Sequence, residues 1–275
     1  MGAIDPAVTA LAHRQADAAV GAAGVTVTMV DSHDGALIVE DIVTAVWPQD
    51  DGSSEVQSSL LRALQLAGGY VCYATDPTGL PVAACFSFFS APADARLHSH
   101  AAGVIASHAG RGIGRALKLH QRAWALDRGV TEIEWTYDPT IARNAFFNVG
   151  RLGARPAAYL RDVYGEMREL RNRGFGSDRL LVVWELTDPA VVAAASRTRG
   201  QAAPTPTPWA GPGRSAIPIP PDIETLRVED PAAAARCRVT VRDALEGVFA
   251  SGARIVGFEP EQGYLVEAPA SGAPR

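Results

Sequence analysis

The sequence predicts an α/β (α+β) fold: a central mixed, mostly antiparallel sheet flanked by helices. Three features carry that prediction. Helical and strand-like segments alternate through residues 5–186, judged by hydrophobic period and by start and stop residues. Two β-rich stretches, 70–75 and 80–90, flank Asp76-Pro77-Thr78-Gly79, a tight-turn sequence that closes a hairpin. A third strand, 96–106, continues the meander and runs straight into a glycine loop that opens a helix.

The other elements follow in chain order. A helix over 5–23 opens on Asp5-Pro6 and stops at Gly24, and 25–30 alternates as a short strand. Helices are expected over 34–46, stopped by Trp47-Pro48, and over 54–66, stopped by Gly68-Gly69. In 112–127, Ile113, Ala116, Leu117, Trp124 and Leu126 give a helix ended by Arg128-Gly129. A strand at 131–137, a short helix at 141–152 and strands at 157–164 and 180–186 complete a domain expected to span 1–197. Residues 198–221 carry seven prolines among Gly, Thr and Ser, from Pro204 to Pro221, and read as a connector. The extension 222–275 reads as a helix, 232–249, and a hairpin of 254–258 with 264–267. It is too short for a core of its own, so it is expected to pack on the main domain or on a partner subunit, which makes a homodimer reasonable.

Composition narrows the function. With 275 residues, 47% hydrophobic and 20% charged, the chain can bury a sizeable core, and it lacks the run of about 18 uninterrupted apolar residues that marks a membrane span. Asp5, His13, Arg14, Gln15 and Asp17 interrupt the stretch where a secretory leader would need an apolar centre, so a cytoplasmic protein is expected. Cys72, Cys85 and Cys237 are odd in number and widely spaced, which implies reduced thiols and no metal site. A net charge of −5 argues against nucleic acid as a partner. Of the 25 basic residues, Lys118 is the one lysine; coding bias explains the arginine excess, and no function attaches to it at this level.

The chemistry concentrates in Gly103-Val104-Ile105-Ala106-Ser107-His108-Ala109-Gly110-Arg111-Gly112-Ile113-Gly114-Arg115. A strand, a glycine loop and a helix N-terminus make an anion cradle, because glycines admit a ligand close to backbone amides and the helix start favours negative charge. The spacing Gly110-x-Gly112-x-Gly114 is not a dinucleotide-binding fingerprint, and no Gly-Lys-Ser/Thr follows, so a P-loop is excluded.

This order of strand, Arg111-Gly112-Ile113-Gly114 loop and helix, then strand Glu132-Ile133-Glu134-Trp135, then a helix ending in Leu152-Gly153-Ala154, resembles the GNAT superfamily of acyl-CoA-dependent N-acyltransferases. His98-Ser99-His100, Trp135-Thr136-Tyr137-Asp138-Pro139, Arg143-Asn144-Ala145-Phe146-Phe147-Asn148, Tyr164-Gly165 and Ser177-Asp178-Arg179 are similar to a little-characterised subfamily of predicted acetyltransferases, some associated with N-acylamino-acid metabolism. The resemblance is specific over 96–186 and weak in the tail. It implies that the strand before the loop splays from its neighbour, that Val104, Ile105 and Ala106 hold pantetheine, and that Ala109, Gly110, Arg111, Gly112, Ile113, Gly114 and Arg115 hold the pyrophosphate. Ala109 departs from the family's usual Arg or Gln.

Amine acylation needs a base, a polarised carbonyl and an acid for the departing thiolate. His98 and His100 share a strand face, and an imidazole with a pKa of about 6.5 can accept a proton at neutral pH; His100 is the preferred base, with Glu134 (beside Glu132) as the carboxylate alternative. The family's tyrosine is replaced by Val149, which leaves Tyr164, ahead of Tyr159, or solvent as the acid. Asn144 either caps its helix or contacts the cofactor arm, and Arg179 is the candidate for an acceptor carboxylate. The expected function is acyl transfer from acetyl-CoA or succinyl-CoA to a small-molecule amine, such as an amino acid. The alternatives are an acyl-CoA sensor without turnover and, less favoured, thiol catalysis at Cys85 or Cys72, which lie in apolar strands with nothing to activate them.

Overall fold

The computed structural model describes residues 4–91, 94–167, 174–198, 209 and 211–269. The elements, in order, are α1 (Pro6–Ala23), β1 (Thr26–Met29), α2 (His33–Val46), α3 (Ser58–Leu66), β2 (Tyr70–Thr75), β3 (Pro81–Phe89) and β4 (Arg96–Val104). A 3-10 turn (Ala106–His108) leads to α4 (Ile113–Leu126), β5 (Glu132–Tyr137) and α5 (Ala142–Ala145), which passes into a π-helix (Phe146–Arg151). Then come β6 (Arg155–Leu160), β7 (Arg179–Glu185), α6 (Pro189–Ser196), β8 (Arg214–Ile217), α7 (Ile223–Glu229), α8 (Pro231–Ser251), β9 (Arg254–Glu259) and β10 (Gly263–Glu267).

Seven strands form one sheet in the order β1-β2-β3-β4-β5-β7-β6, and three form another, β8-β10-β9. In the large sheet β1–β2, β2–β3, β3–β4 and β6–β7 pair antiparallel, and β4–β5 pair parallel. The mixed, mostly antiparallel α/β architecture is thus as the sequence predicts.

Several boundaries differ from the sequence reading, each for an identifiable reason. The helix expected from Ser54 starts at Ser58, because the Ser58 amide donates to the Glu40 carboxylate of α2 at 2.6 Å, and this borrowed cap fixes the first turn. The strand expected over 157–164 ends at Leu160: Asp162 takes a left-handed φ of +41°, and its amide turns to the Asp178 carboxylate at 3.1 Å, so Tyr164 lies in a turn. Helix α6 went unpredicted although Asp188-Pro189 caps it, as did α7, capped by Asp222. Within the expected connector, 199–208 and 210 lie outside the described residues, while Arg214–Ile217 is a strand paired with β10.

The described chain divides into two compact units, one of 4–135 and 185–198, the other of 136–167, 174–184, 209 and 211–269. In the first, α2 and α3 cover one face of the meander, where Val39, Ile42, Val43, Leu61, Val71 and Phe86 form the core. Helix α4 lies on the other face and is buried along most of its length. Arg122 of α4 is fully buried. Its guanidinium donates to the Leu186 carbonyl at 2.7 and 2.9 Å and to Gln15 of α1 at 2.8 Å, and burial lowers its pKa to about 10. Those bonds satisfy a cation that would otherwise be prohibitive inside a core.

In the second unit the Trp184 indole donates to the Leu152 carbonyl at 2.9 Å, and Tyr264 donates to the Pro139 carbonyl at 2.7 Å. Ile141, Ile223 and Ala234 share a small core, so the C-terminal elements join residues 136–184 in one unit. No described helix is long and apolar enough to cross a membrane.

Candidate functional site

Strand β4 runs parallel to β5 for three pairs: Arg96↔Glu132, Leu97↔Ile133 and His98↔Glu134. On its other side it stays paired with β3 as far as Val104 opposite Ala83. Residues 99–104 of β4 therefore present a strand edge that the β5 ladder does not use, and a main-chain edge of this kind accepts an amide-rich extended ligand. At Phe86/Ser87 the β3–β4 register shifts, so that Ser99 and Ala101 are paired and His100 is the extra residue of a bulge. Bulges re-aim side chains, and this one sets His100 at the fork.

Beyond β4, the Ile105 amide donates to the Val82 carbonyl at 2.9 Å, the His108 amide to Ile105 at 3.0 Å, and the Ala109 amide to Ala106 at 3.2 Å. The amides of Ile105 and Ala109, expected to face pantetheine and pyrophosphate, therefore serve the turn itself. The His108 ring lies between Ser107, at 3.0 Å, and Asp76 of the β2–β3 turn, at 3.5 Å, which anchors the loop. Gly112 is the cap residue of α4 with φ +86°, and Gly110 has φ +75°. The first helical bond runs from the Ala116 amide to the Gly112 carbonyl at 3.0 Å, so the amides of Ile113 and Gly114 precede it and face out of the helix start. Outward amides at a helix start are what an anion cradle would use.

Not every expected cradle residue contributes charge. Arg115 donates to the carbonyls of Ala194 and Ala195 at 3.3 and 2.8 Å, and its guanidinium thereby satisfies the C-terminal end of α6. Arg111 is exposed. Because a side chain at φ +86° is strained by about 1–2 kcal/mol, Gly112→Val is expected to lower stability by that amount, read as a shift of the urea midpoint.

On the α2 side of the fork, Phe88 stacks on His98 with ring centroids 5.1 Å apart. His98 and His100 are 6.1 Å apart, Phe86 is 5.3 Å from His100, and Glu134 lies 3.6 Å from His98 Nδ1. Arg96 bonds Glu132 at 2.6 Å and approaches Glu134 at 3.7 Å. Burial lowers the His98 pKa, and the neighbouring His100 lowers it further against the opposing pull of Glu134; partial burial lowers that of His100 as well. Both rings are therefore neutral at pH 7 and able to take a proton.

The remaining candidates belong to the second unit. Asn144 is in α5, where Ile141 occupies the cap position without a side-chain bond, so Asn144 does not cap that helix. Tyr164 is half-exposed, its hydroxyl 3.0 Å from Thr136 Oγ1. Tyr159 donates to Asp178 at 2.7 Å, and burial, reinforced by that carboxylate, pushes its pKa up. Arg179, expected to grip an acceptor carboxylate, is instead buried, with one nitrogen on the Asp178 carbonyl at 2.9 Å. Val149, at the family's tyrosine position, is buried in the π-helix. Cys72 and Cys85 are fully buried, and burial raises both thiols above their usual range, which removes the basis for thiol catalysis. Among the described residues no group of three or more His, Cys, Asp or Glu could hold a metal.

Sequence reading missed Phe88 and Lys118. Phe88 left no mark beyond its apolar character. Lys118 did leave one, its singularity in an arginine-rich chain.

No family model and no curated protein matches the sequence. The structure is similar to N-acetyltransferase from Staphylococcus aureus Mu50 (13% identity, 59% of this chain and 98% of that one, TM-score 0.49). It is similar also to the ribosomal-protein-S18-alanine N-acetyltransferase from Escherichia coli (14%, 60% and 95%, 0.48). A GNAT family acetyltransferase from Elizabethkingia anophelis with acetyl-CoA bound gives 14%, 59% and 98%, and 0.46. The chain's own geometry shows the parallel pairing of β4 with β5 ending at His98↔Glu134, and a glycine loop after β4 that opens α4.

Proposed function

We propose that the protein is an acyl-CoA-dependent N-acyltransferase that moves an acetyl or succinyl group directly to the amine of a small molecule. The observation that carries this reading is the parting of β4 from β5 after His98↔Glu134, beside two imidazoles that burial keeps neutral. Bound acyl-CoA supplies the electrophilic thioester. The unused edge of β4 would take the pantetheine amides, and the α4 start would take the pyrophosphate. His100 would accept the proton from the attacking amine, with Glu134 beside His98 as the carboxylate route. The departing thiolate would take its proton from solvent, and Tyr164→Phe asks whether that phenol contributes. An amino-acid acceptor would need a carboxylate partner other than buried Arg179, so amines with and without a carboxylate belong in the screen.

Calorimetric titration with acetyl-CoA, succinyl-CoA and free CoA tests the first half of this reading. Saturable binding of at least one thioester, weakened tenfold or more in Gly112→Val, is the expected result, and no binding at millimolar ligand would overturn the proposal. Thiol release with an amine panel tests the second half. Val149 in place of a tyrosine, with Tyr159 held on Asp178, favours one other reading, an acyl-CoA sensor, for which thioester would bind and no amine would release thiol.

A further inference from the structure

Lys118 projects from α4 to the fork between β4 and β5. Its side chain is buried, its ammonium donates to Ser99 Oγ at 3.1 Å and to Gln121 Oε1 at 2.6 Å, and it lies 3.8 Å from the ring centroid of Trp135. Gln121 in turn donates to Ser99 Oγ at 3.1 Å. The last rung shared by the two strands is His98↔Glu134, so Ser99 and Trp135 are the next residue of each strand. One ammonium thus engages both strands at the first position past their last rung.

We propose that Lys118 is a positioning residue for the acyl-CoA slot, fixing the separation of β4 and β5 by holding Ser99 on one strand and the Trp135 ring on the other. The inference rests on the acyltransferase reading of that slot. Two parallel strands already in register would ordinarily continue their ladder, because each added rung satisfies backbone groups on both. Here the lysine stem and the indole fill the space on the α4 side. A hydrogen bond to a hydroxyl and a cation over an aromatic face are both directional, so together they define a distance as well as fill a volume. His98 and Glu134, one residue back, take their places on the opposite face from the same anchored backbone.

The position is an expensive place for a charge. Burial, opposed by Cys85, lowers the Lys118 pKa to about 8. The groups facing it include Cys85 from β3, Ser99 from β4, Trp135 from β5 and Gln121 from its own helix, and from the far side of β4 its charge helps to keep His98 deprotonated.

The test is Lys118→Met, which keeps the length and removes the charge and the donors, with Ser99→Ala as the second variant. Lys118→Met is expected to lower the melting temperature slightly, because the buried Gln121 Oε1 loses its Lys118 donor, and to bind acetyl-CoA about tenfold more weakly, with KM for acetyl-CoA rising in step and KM for the amine unchanged. Ser99→Ala is expected to shift affinity the same way by a smaller factor. A purely structural residue would move stability without a selective loss of acetyl-CoA affinity. Acetyl-CoA affinity within twofold of wild type in Lys118→Met, or a Lys118→Met chain that does not fold, would overturn the proposal. A wild-type protein that binds no acyl-CoA would instead overturn the acyltransferase reading, so the two failures are distinguishable.

Discussion

Asp178→Ala is expected to destabilise the second unit by about 3–5 kcal/mol, the range for removing one partner of a buried ion pair. The Asp178 side chain is 3% exposed, and Arg242, 16% exposed, grips it with two bonds of 2.8 Å. The same carboxylate accepts from the Tyr159 hydroxyl at 2.7 Å and from the Asp162 amide at 3.1 Å, with Arg238 4.0 Å away. Alanine would leave a guanidinium, a phenol and an amide without their acceptor in a space too closed for water to replace it freely. The pair itself adds little over an apolar core; the loss comes from breaking half of it. Arg242→Met in the Asp178→Ala background is therefore expected to recover part of the loss, measured as urea midpoints in a double-mutant cycle.

The pH dependence of that unit follows from the same group. Burial pushes the Asp178 pKa up, but the bonds from Tyr159, Arg242 and the Asp162 amide outweigh it and hold the carboxyl below its usual range. A lowered carboxylate pKa stabilises the folded state above the unfolded value of about 3.9, and the contribution fades as pH falls through the folded value. The acid limb of the stability curve should flatten in Asp178→Ala.

Local rules made most of the first unit legible in the sequence. Asp5-Pro6 and Gly24 bracket α1 as their capping chemistry dictates, and Asp76-Pro77-Thr78-Gly79 closes the β2–β3 hairpin. The same Asp-Pro signal at Asp188-Pro189 marks α6 and was legible but unread. Other features depend on residues far apart in sequence. The start of α3 is set by Glu40, eighteen positions earlier. The role of Arg115 is set by the carbonyls of Ala194 and Ala195, about eighty positions later. Ser177-Asp178-Arg179 reads as a binding motif because Asp and Arg stand side by side. The structure turns them apart: Asp178 goes to Arg242, sixty-four positions on, and Arg179 folds back onto its neighbour's carbonyl. At the fork, the glycine spacing announces a cradle, and His98-Ser99-His100 announces a two-residue period that puts both imidazoles on one face. That Ser99, between them, answers to a lysine from the opposite side of the sheet follows only when strand and helix are packed.

His100→Ala should leave acetyl-CoA affinity intact and lower kcat at pH 7 by about 10²- to 10⁴-fold, the usual worth of a positioned general base. The wild-type kcat/KM profile should lose activity on the acid side below a pH of about 6.5, because a base must be unprotonated to act and burial lowers both His98 and His100 from that ordinary value. His100, 6.1 Å away, helps to hold the His98 pKa down. Removing His100 takes away one influence that holds His98 down, so the residual acid limb in His100→Ala should move to higher pH while the plateau falls. A carboxylate base at Glu134 predicts the opposite pattern, a plateau nearly unchanged by His100→Ala. Rate and acid limb measured together in His100→Ala and Glu134→Gln therefore assign the base: a plateau that survives His100→Ala but collapses in Glu134→Gln would move the role to the carboxylate.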